Sequence, residues 1–208
     1  MTPESHDGRL RDVYAARSAA EIVTLYDNWA SDYESDMAKA GYRHPAITTA
    51  LLTRYLPRGT APLLDAGAGT GLAGEWLAIL GYPHVEALDI SEGMLAKARA
   101  KAVYAALHCC GLGGELPFSS NNFAGVVSAG VFTTGHVGEE ALPELIRITK
   151  PGGVIVLTVK GSLWQASFGA AIRAAQDQLQ LVETTEPYVS MPGEQGTSPG
   201  VAIVLRKP

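Results

Sequence analysis

Cysteine is scarce in this chain, two residues in 208, and the two are neighbours, Cys109 and Cys110. Adjacent residues on an extended strand point to opposite faces, which argues against a structural disulfide between them. No spaced CxxC pair offers a metal signature, and the five histidines show no ligand spacing, so no metal site is expected. The two cysteines read as buried free thiols. Charge is also sparse: charged residues are 18% of the chain and the net charge is −5. That balance, with no basic cluster, gives no reason to expect nucleic acid or an anionic membrane as a partner. No apolar run approaches membrane-spanning length, and Met1 to Arg17 lacks the apolar core of a signal peptide. A cytoplasmic protein is expected. What is present in quantity is apolar sequence, 47%, the proportion of a globular domain. No repeat, linker or low-complexity tract divides the chain, which reads as a single domain over 18–208. Residues 1–17 mix Pro, Gly, His and charges, and are expected to be disordered.

Two capping boxes, Ser18-x-x-Glu21 and Ser31-x-x-Glu34, predict two short helices, the second stopped near Gly41. Pro45 favours a first helical turn, and a third helix runs from there to Leu56, closed by Pro57. From residue 62 strands and helices alternate. Strands are predicted at Leu63–Ala66, at His84–Leu88 ending in Asp89, at Tyr104–Cys110, at Gly125–Gly130 and at Val154–Lys160. Helices fall around 72–80, 92–102 (capped by Ser91) and 139–149, and a further one over 163–177. The strands are apolar on both faces, as in a parallel sheet covered by helices on each side. Two last strands, Leu179–Glu186 and Gly200–Arg206, flank a connector with three prolines and two glycines that is too turn-rich for a crossover helix. They read as an antiparallel hairpin. The fold class is therefore α/β, an open, doubly wound, Rossmann-like sheet of seven mostly parallel strands with that hairpin at its end.

The first predicted strand breaks at once into Asp65-Ala66-Gly67-Ala68-Gly69-Thr70-Gly71. Glycines on alternate positions let the backbone turn tightly and approach a ligand that a Cβ would keep away, and the helix that follows points its N-terminus into the same space. Asp89 ends the second strand 18 residues after Gly71. That is close to the ~20-residue offset at which an acid takes the hydroxyls of a ribose, although a helix cap or surface acid has the same appearance. Two nucleoside cofactors fit such a place, a dinucleotide and S-adenosylmethionine. The dinucleotide fingerprint GxGxxG needs a glycine where Leu72 stands, and the observed GxGxG favours S-adenosylmethionine. An NAD-dependent oxidoreductase remains the alternative.

Taken together, the run 63–71, Asp89 with Ile90-Ser91-x-x-Met94-Leu95, Leu116-Pro117-Phe118 and Lys150-Pro151-Gly152-Gly153 resemble, in order and spacing, the class I S-adenosylmethionine-dependent methyltransferases. More narrowly, Tyr26-Asp27-x-Trp29-Ala30-x-x-Tyr33-Glu34, Gly41-Tyr42-Arg43-x-Pro45, Gly71-Leu72-Ala73-Gly74-Glu75 and 130–137 are similar to the methyltransferase-like protein of the Williams-Beuren syndrome region and its bacterial relatives. The resemblance implies roles. Gly67 and Gly69 would meet the methionyl part of the cofactor, and Asp65 would steady the turn or the ammonium group. Asp89 would hold the ribose, and Ile90 or Met94 would pack on adenine, Met94 being equally suited to plain core packing. Ala66, Leu72, Gly111, Leu112, Ala129 and Gly130 would complete the cofactor site. Trp29 and Tyr33 would belong to an N-terminal helical lid with an aromatic near the sulfonium. The other reading makes these aromatics core anchors, and Tyr26 is left open between the two. One departure stands out: where relatives often carry an acid after the third strand, this chain has Cys110-Gly111-Leu112-Gly113 and no carboxylate before Glu115. Backbone carbonyls would have to serve adenine there.

Methyl transfer from a sulfonium needs alignment, exclusion of water and removal of a proton from an alcohol or amine acceptor, but no metal. The resemblance puts the proton acceptor on the loop after the fourth strand, where His136 lies; a structural hydrogen-bonder at a helix start is the other reading of that residue. No substrate domain is inserted, so a small-molecule acceptor is expected, with Arg43, His44, Trp164 and Tyr188 as candidate wall residues. A protein that binds S-adenosylmethionine without chemistry is the remaining alternative.

Overall fold

Leu63 and Leu64, neighbours on one short strand, are both fully buried, which requires cover on both faces of the sheet they belong to. The computed structural model describes residues 6–133, 137–194 and 197–208. Its seven strands are β1 (Leu63–Ala66), β2 (Val85–Asp89), β3 (Ala106–Cys109), β4 (Phe123–Phe132), β5 (Thr149–Lys160), β6 (Gln180–Thr184) and β7 (Gly200–Arg206). They form one sheet in the order β3-β2-β1-β4-β5-β7-β6. The first five pair in parallel, Leu63 lying opposite Val85 on one side and Gly125 on the other. β7 runs antiparallel between β5 and β6, as the turn-rich connector predicts. Successive residues feed opposite cores. Leu64, Val126 and Ile155 pack with α7 (Leu142–Ile148) and a helical segment α8 over 161–174. Leu63, Val127 and Val156 pack with α4 (His44–Tyr55) and α5 (Leu72–Ile79). α6 (Glu92–Ala100) follows β2 and is capped by Ser91, whose Oγ accepts from the Met94 N–H at 3.1 Å. The strand order reverses between β1 and β4, and in such sheets ligands sit beyond the carboxyl ends of the strands at that point.

Ahead of the sheet lie α1 (His6–Ala15), α2 (Ala19–Trp29), α3 (Tyr33–Ala40) and α4. Ser18 caps α2 by accepting from the Glu21 N–H at 3.2 Å, and Gly41 ends α3 in the left-handed region at φ +67°. Two expectations are corrected here. Residues 6–15 are helical rather than disordered, because α1 buries Val13 and its Arg9 pairs with Asp32 at 2.9 Å and Asp36 at 3.2 Å. The second helix begins behind Asp32 rather than on a Ser31 capping box, and Asp32 spends its carboxylate on Arg9 instead of the helix end. The cysteines also differ from expectation: Cys109 is exposed because β3 is an edge strand, and Cys110 is only partly covered. The segment 161–174 starts before the predicted position and carries a π turn at Trp164–Phe168, with Gly169 making room for the Trp164 carbonyl. Among the described residues no helix is long and apolar enough to cross a membrane.

Candidate active site

Beyond β1 the chain turns through Gly67, Gly69 and Gly71 at φ +77°, +56° and +92°, all in the region where a Cβ is strained. The N–H groups of Gly67 and Ala68 both donate to the Leu88 carbonyl, at 2.7 and 3.0 Å, which folds the turn back onto β2. The Gly69 N–H donates to Asp89 Oδ2 at 2.8 Å, and the Ser91 N–H donates to Asp89 Oδ1 at 2.9 Å. Burial raises the Asp89 pKa above the ordinary carboxylate value, and these backbone donors act against the rise. Beneath the turn Asp65 is fully buried and accepts from the Tyr104 hydroxyl at 2.6 Å. Gly74 on α5 leaves the space that the Tyr104 ring fills. Desolvation lifts the Asp65 carboxyl to about 7, the tyrosine bond pulling the other way. Asp65 Oδ1 and Thr70 Oγ1 lie buried here without a hydrogen-bond partner.

Helices α2 and α3 lie over the glycine turn and are held there by side chains. Asp27 Oδ1 on α2 accepts from Ser91 Oγ at 2.5 Å and from the Gly93 N–H at 2.9 Å, at the N-terminus of α6. A β-carbon at position 93 would meet the Asp27 Cα at 2.9 Å, so glycine permits this close approach. Lys101 joins Glu34 of α3, at 2.7 Å, to Glu75 of α5. Within the lid Tyr26 stacks on Trp29, centroids 6.3 Å apart, and Trp29 meets Tyr33 edge-on at 4.9 Å. The Trp29 indole N–H donates to Asp36 Oδ2 at 2.9 Å.

Two cavities open under this lid. The smaller, ≈ 190 Å³, has Gly67, Gly69, Asp89, Ile90 and Met94 along one wall and Gly111 and Leu112 along another. Ala129, Gly130 and Tyr33 complete the set of sequence-predicted residues that line it. Four predicted residues do not line it. Asp65 and Ala66 are fully buried behind the turn, Leu72 packs into the lid cluster, and Trp29 anchors the lid and lines the second cavity instead. Tyr26 of α2, left open between lid and core, also lines it, and the structure adds Ile22 from the same helix, with Cys110 and Val131. Ile22 and Tyr26 stand four apart on one helical face, a spacing visible in the sequence; Cys110 and Val131 carry no such signal.

The larger cavity, ≈ 490 Å³, shares Tyr26, Tyr33 and Gly130 with the first. Its walls are α1, the lid, the ends of β4 and β5 and residues from 190–194 and 197–200, and among the described residues its charged side chains are Arg11, Lys160 and Glu194. Lys160 sits 4.6 Å over the Tyr14 ring. Of the expected wall residues only His44 lines it; Tyr188 hydrogen-bonds to His44 Nδ1 at 2.7 Å, Arg43 reaches the Val189 carbonyl at 3.5 Å, and Trp164 packs on the core. Burial lowers the His44 pKa to about 4, which keeps the imidazole neutral. The predicted base His136 lies outside the described residues.

The residues beyond β1 fit a nucleoside cofactor: a cradle in which the Gly67 Cβ would run into Val131, an acid fixed at the end of β2, and apolar walls for a base. Residues 64–157 match the family model described as a methyltransferase domain. Methyltransferase-like protein 27 of Homo sapiens is 35% identical over 187 residues, covering 88% of this chain and 76% of that protein. The ubiquinone/menaquinone biosynthesis C-methyltransferase UbiE of Roseobacter denitrificans is 30% identical over 148 residues, and the match spans 67% of this chain and 58% of that one. Among solved structures, the 1,6-didemethyltoxoflavin-N1-methyltransferase of Burkholderia thailandensis superposes with a TM-score of 0.66 at 18% identity, over 92% of this chain and 91% of that one. That likeness is one of fold.

Proposed function

Since the chain belongs to the class I S-adenosylmethionine-dependent methyltransferases, with S-adenosylmethionine as its methyl donor, we propose that it methylates a small molecule held in the ≈ 490 Å³ cavity. The alternative of an oxidoreductase falls with that membership. One observation carries the acceptor reading: the two cavities share Tyr26, Tyr33 and Gly130 in their walls, so a donor in one lies next to an acceptor in the other.

In this reading Gly67 and Gly69 admit the methionyl backbone and Asp89 accepts from the ribose hydroxyls. Ile90, directly after β2, and Met94 on α6 flank the adenine, and the Gly111–Leu112 backbone supplies the polar contacts that a missing carboxylate would otherwise give. The bound sulfonium supplies an activated methyl group. Tyr26 and Tyr33 present aromatic rings at the junction, where attraction between ring and cation favours a sulfonium. Both phenols are pushed up by burial and stay neutral. The lid and α1 exclude water, and most of the rate enhancement comes from holding the two reactants in line. The size of the cavity and the net charge of −5 support a small acceptor over a polymer. Calorimetry is the first test. S-adenosylmethionine and S-adenosylhomocysteine are expected to bind and NAD is not; saturable cofactor binding with no methylated product from any small-molecule pool would contradict the acceptor assignment.

A further inference from the structure

His44 is placed where donor and acceptor sites meet. It opens α4 and lines the larger cavity, and its Cδ2 lies 3.6 Å from where a Gly130 Cβ would stand. Gly130 is one of the three residues common to both cavities. Nearer still to that point is Tyr42, whose hydroxyl donates to the Ala129 carbonyl at 3.3 Å and whose acidity burial suppresses. The imidazole is held by two tyrosines. Tyr42 and Tyr188 each meet it edge-on with centroids 5.5 Å away, and the Tyr188 hydroxyl lies 2.7 Å from Nδ1. The Nδ1–Tyr188 contact fits either direction of donation; in the tautomer in which Nδ1–H donates to the Tyr188 oxygen, Nε2, the ring atom bonded to Cδ2, carries the free lone pair. Among the described residues no carboxylate forms an ion pair with this imidazole. The N-terminal end of α4 further disfavours a resting positive charge.

Resting on the reading of the larger cavity as the acceptor site, we propose that His44 touches the acceptor's nucleophilic atom and takes its proton, and that the acceptor is a small molecule methylated on a hydroxyl or an amine. A bond forms from the acceptor oxygen or nitrogen to the methyl carbon while the carbon–sulfur bond breaks and its electron pair stays on sulfur. The proton on that oxygen or nitrogen passes to His44 Nε2 and reaches solvent when the product leaves. As the new bond forms a hydroxyl oxygen becomes an oxonium with a strongly acidic proton, so a weak, neutral imidazole is base enough; among amines the same holds only for a weakly basic, aromatic or conjugated nitrogen, whose methylated cation is comparably acidic. Tyr188 is a positioning residue that fixes the tautomer and the plane of the ring.

The test is methyl transfer from radiolabelled S-adenosylmethionine to a fixed panel of small phenols, alcohols, amines and thiols, by the full chain and by His44→Gln and Tyr188→Phe. The wild type is expected to methylate at least one phenol, alcohol or amine. His44→Gln should lower kcat on it by about 10²-fold, with S-adenosylhomocysteine affinity within about twofold by calorimetry. Tyr188→Phe should lower kcat by about tenfold and leave KM nearly constant, a split that a merely structural role would not give. A His44→Gln variant that keeps wild-type kcat, one that loses cofactor affinity in step with activity, or a wild type that methylates thiols alone would overturn the assignment of His44. A wild type that binds cofactor and methylates nothing in the panel would overturn the acceptor-cavity reading beneath it.

Discussion

At Gly67 a β-carbon has no room: φ is +77° and the Val131 side chain occupies the position. Gly67→Ala should cost about 1–2 kcal/mol for the left-handed backbone and crowd the cofactor wall, lowering S-adenosylhomocysteine affinity by about tenfold. Thermal unfolding and calorimetry read the two effects separately. Asp65 makes a different prediction. Its carboxyl titrates near 7 when folded, against an ordinary value of 3.8, so between those values the folded chain holds a proton that the unfolded chain has lost. Its contribution to stability is therefore complete below about pH 4 and is lost as pH rises through 7. The Asp65→Asn variant, which cannot ionise, should remove this slope, measured as unfolding free energy at pH 5 and pH 8; an unchanged slope would contradict it. The glycines and Asp89 were legible because alternate spacing and the strand end are local signals. The Tyr104 partner of Asp65 was not, since a contact across 39 residues leaves no mark in either neighbourhood.

The lid shows the same division among elements. Ser18, Ser91 and Gly41 set helix ends by bonds and backbone angles within a turn of themselves, and the sequence reads them correctly. Helix α1 went unread because its residues are mostly polar and its one deeply buried side chain, Val13, makes no stripe. What holds α2 in place is likewise nonlocal: Asp27 reaches Ser91 and Gly93 across 64 and 66 residues. Asp27→Ala removes both bonds and leaves the α6 N-terminus with Ser91 alone. The loss is of the order of 1–3 kcal/mol, felt as faster hydrogen exchange in α2 and weaker cofactor binding more than as global unfolding. Equal exchange rates in α2 for variant and wild type would show that the clamp does not hold the lid.

Across the whole molecule the parallel sheet follows from apolar strands alternating with helices, and the reversal between β1 and β4 puts the cradle at the switch point. The donor site was legible because one strand end and the turns next to it build most of it. The proposed acceptor cavity draws on α1, the lid, β4, β5 and residues from 190–194 and 197–200, and no pattern in any one of them announces it. Because the cofactor binds the assembled cleft and not the unfolded chain, S-adenosylhomocysteine at 100 times its Kd should stabilise folding by about 2.7 kcal/mol, with NAD giving no shift in Tm. Methyl transfer in this fold is proposed to take place where the two cavities share Tyr26, Tyr33 and Gly130. A crystal structure with S-adenosylhomocysteine tests it most directly. The ribose hydroxyls are expected on Asp89 and the sulfur at that junction, facing the ≈ 490 Å³ cavity; a sulfur turned away from that cavity, or a ribose bound elsewhere, would refute it.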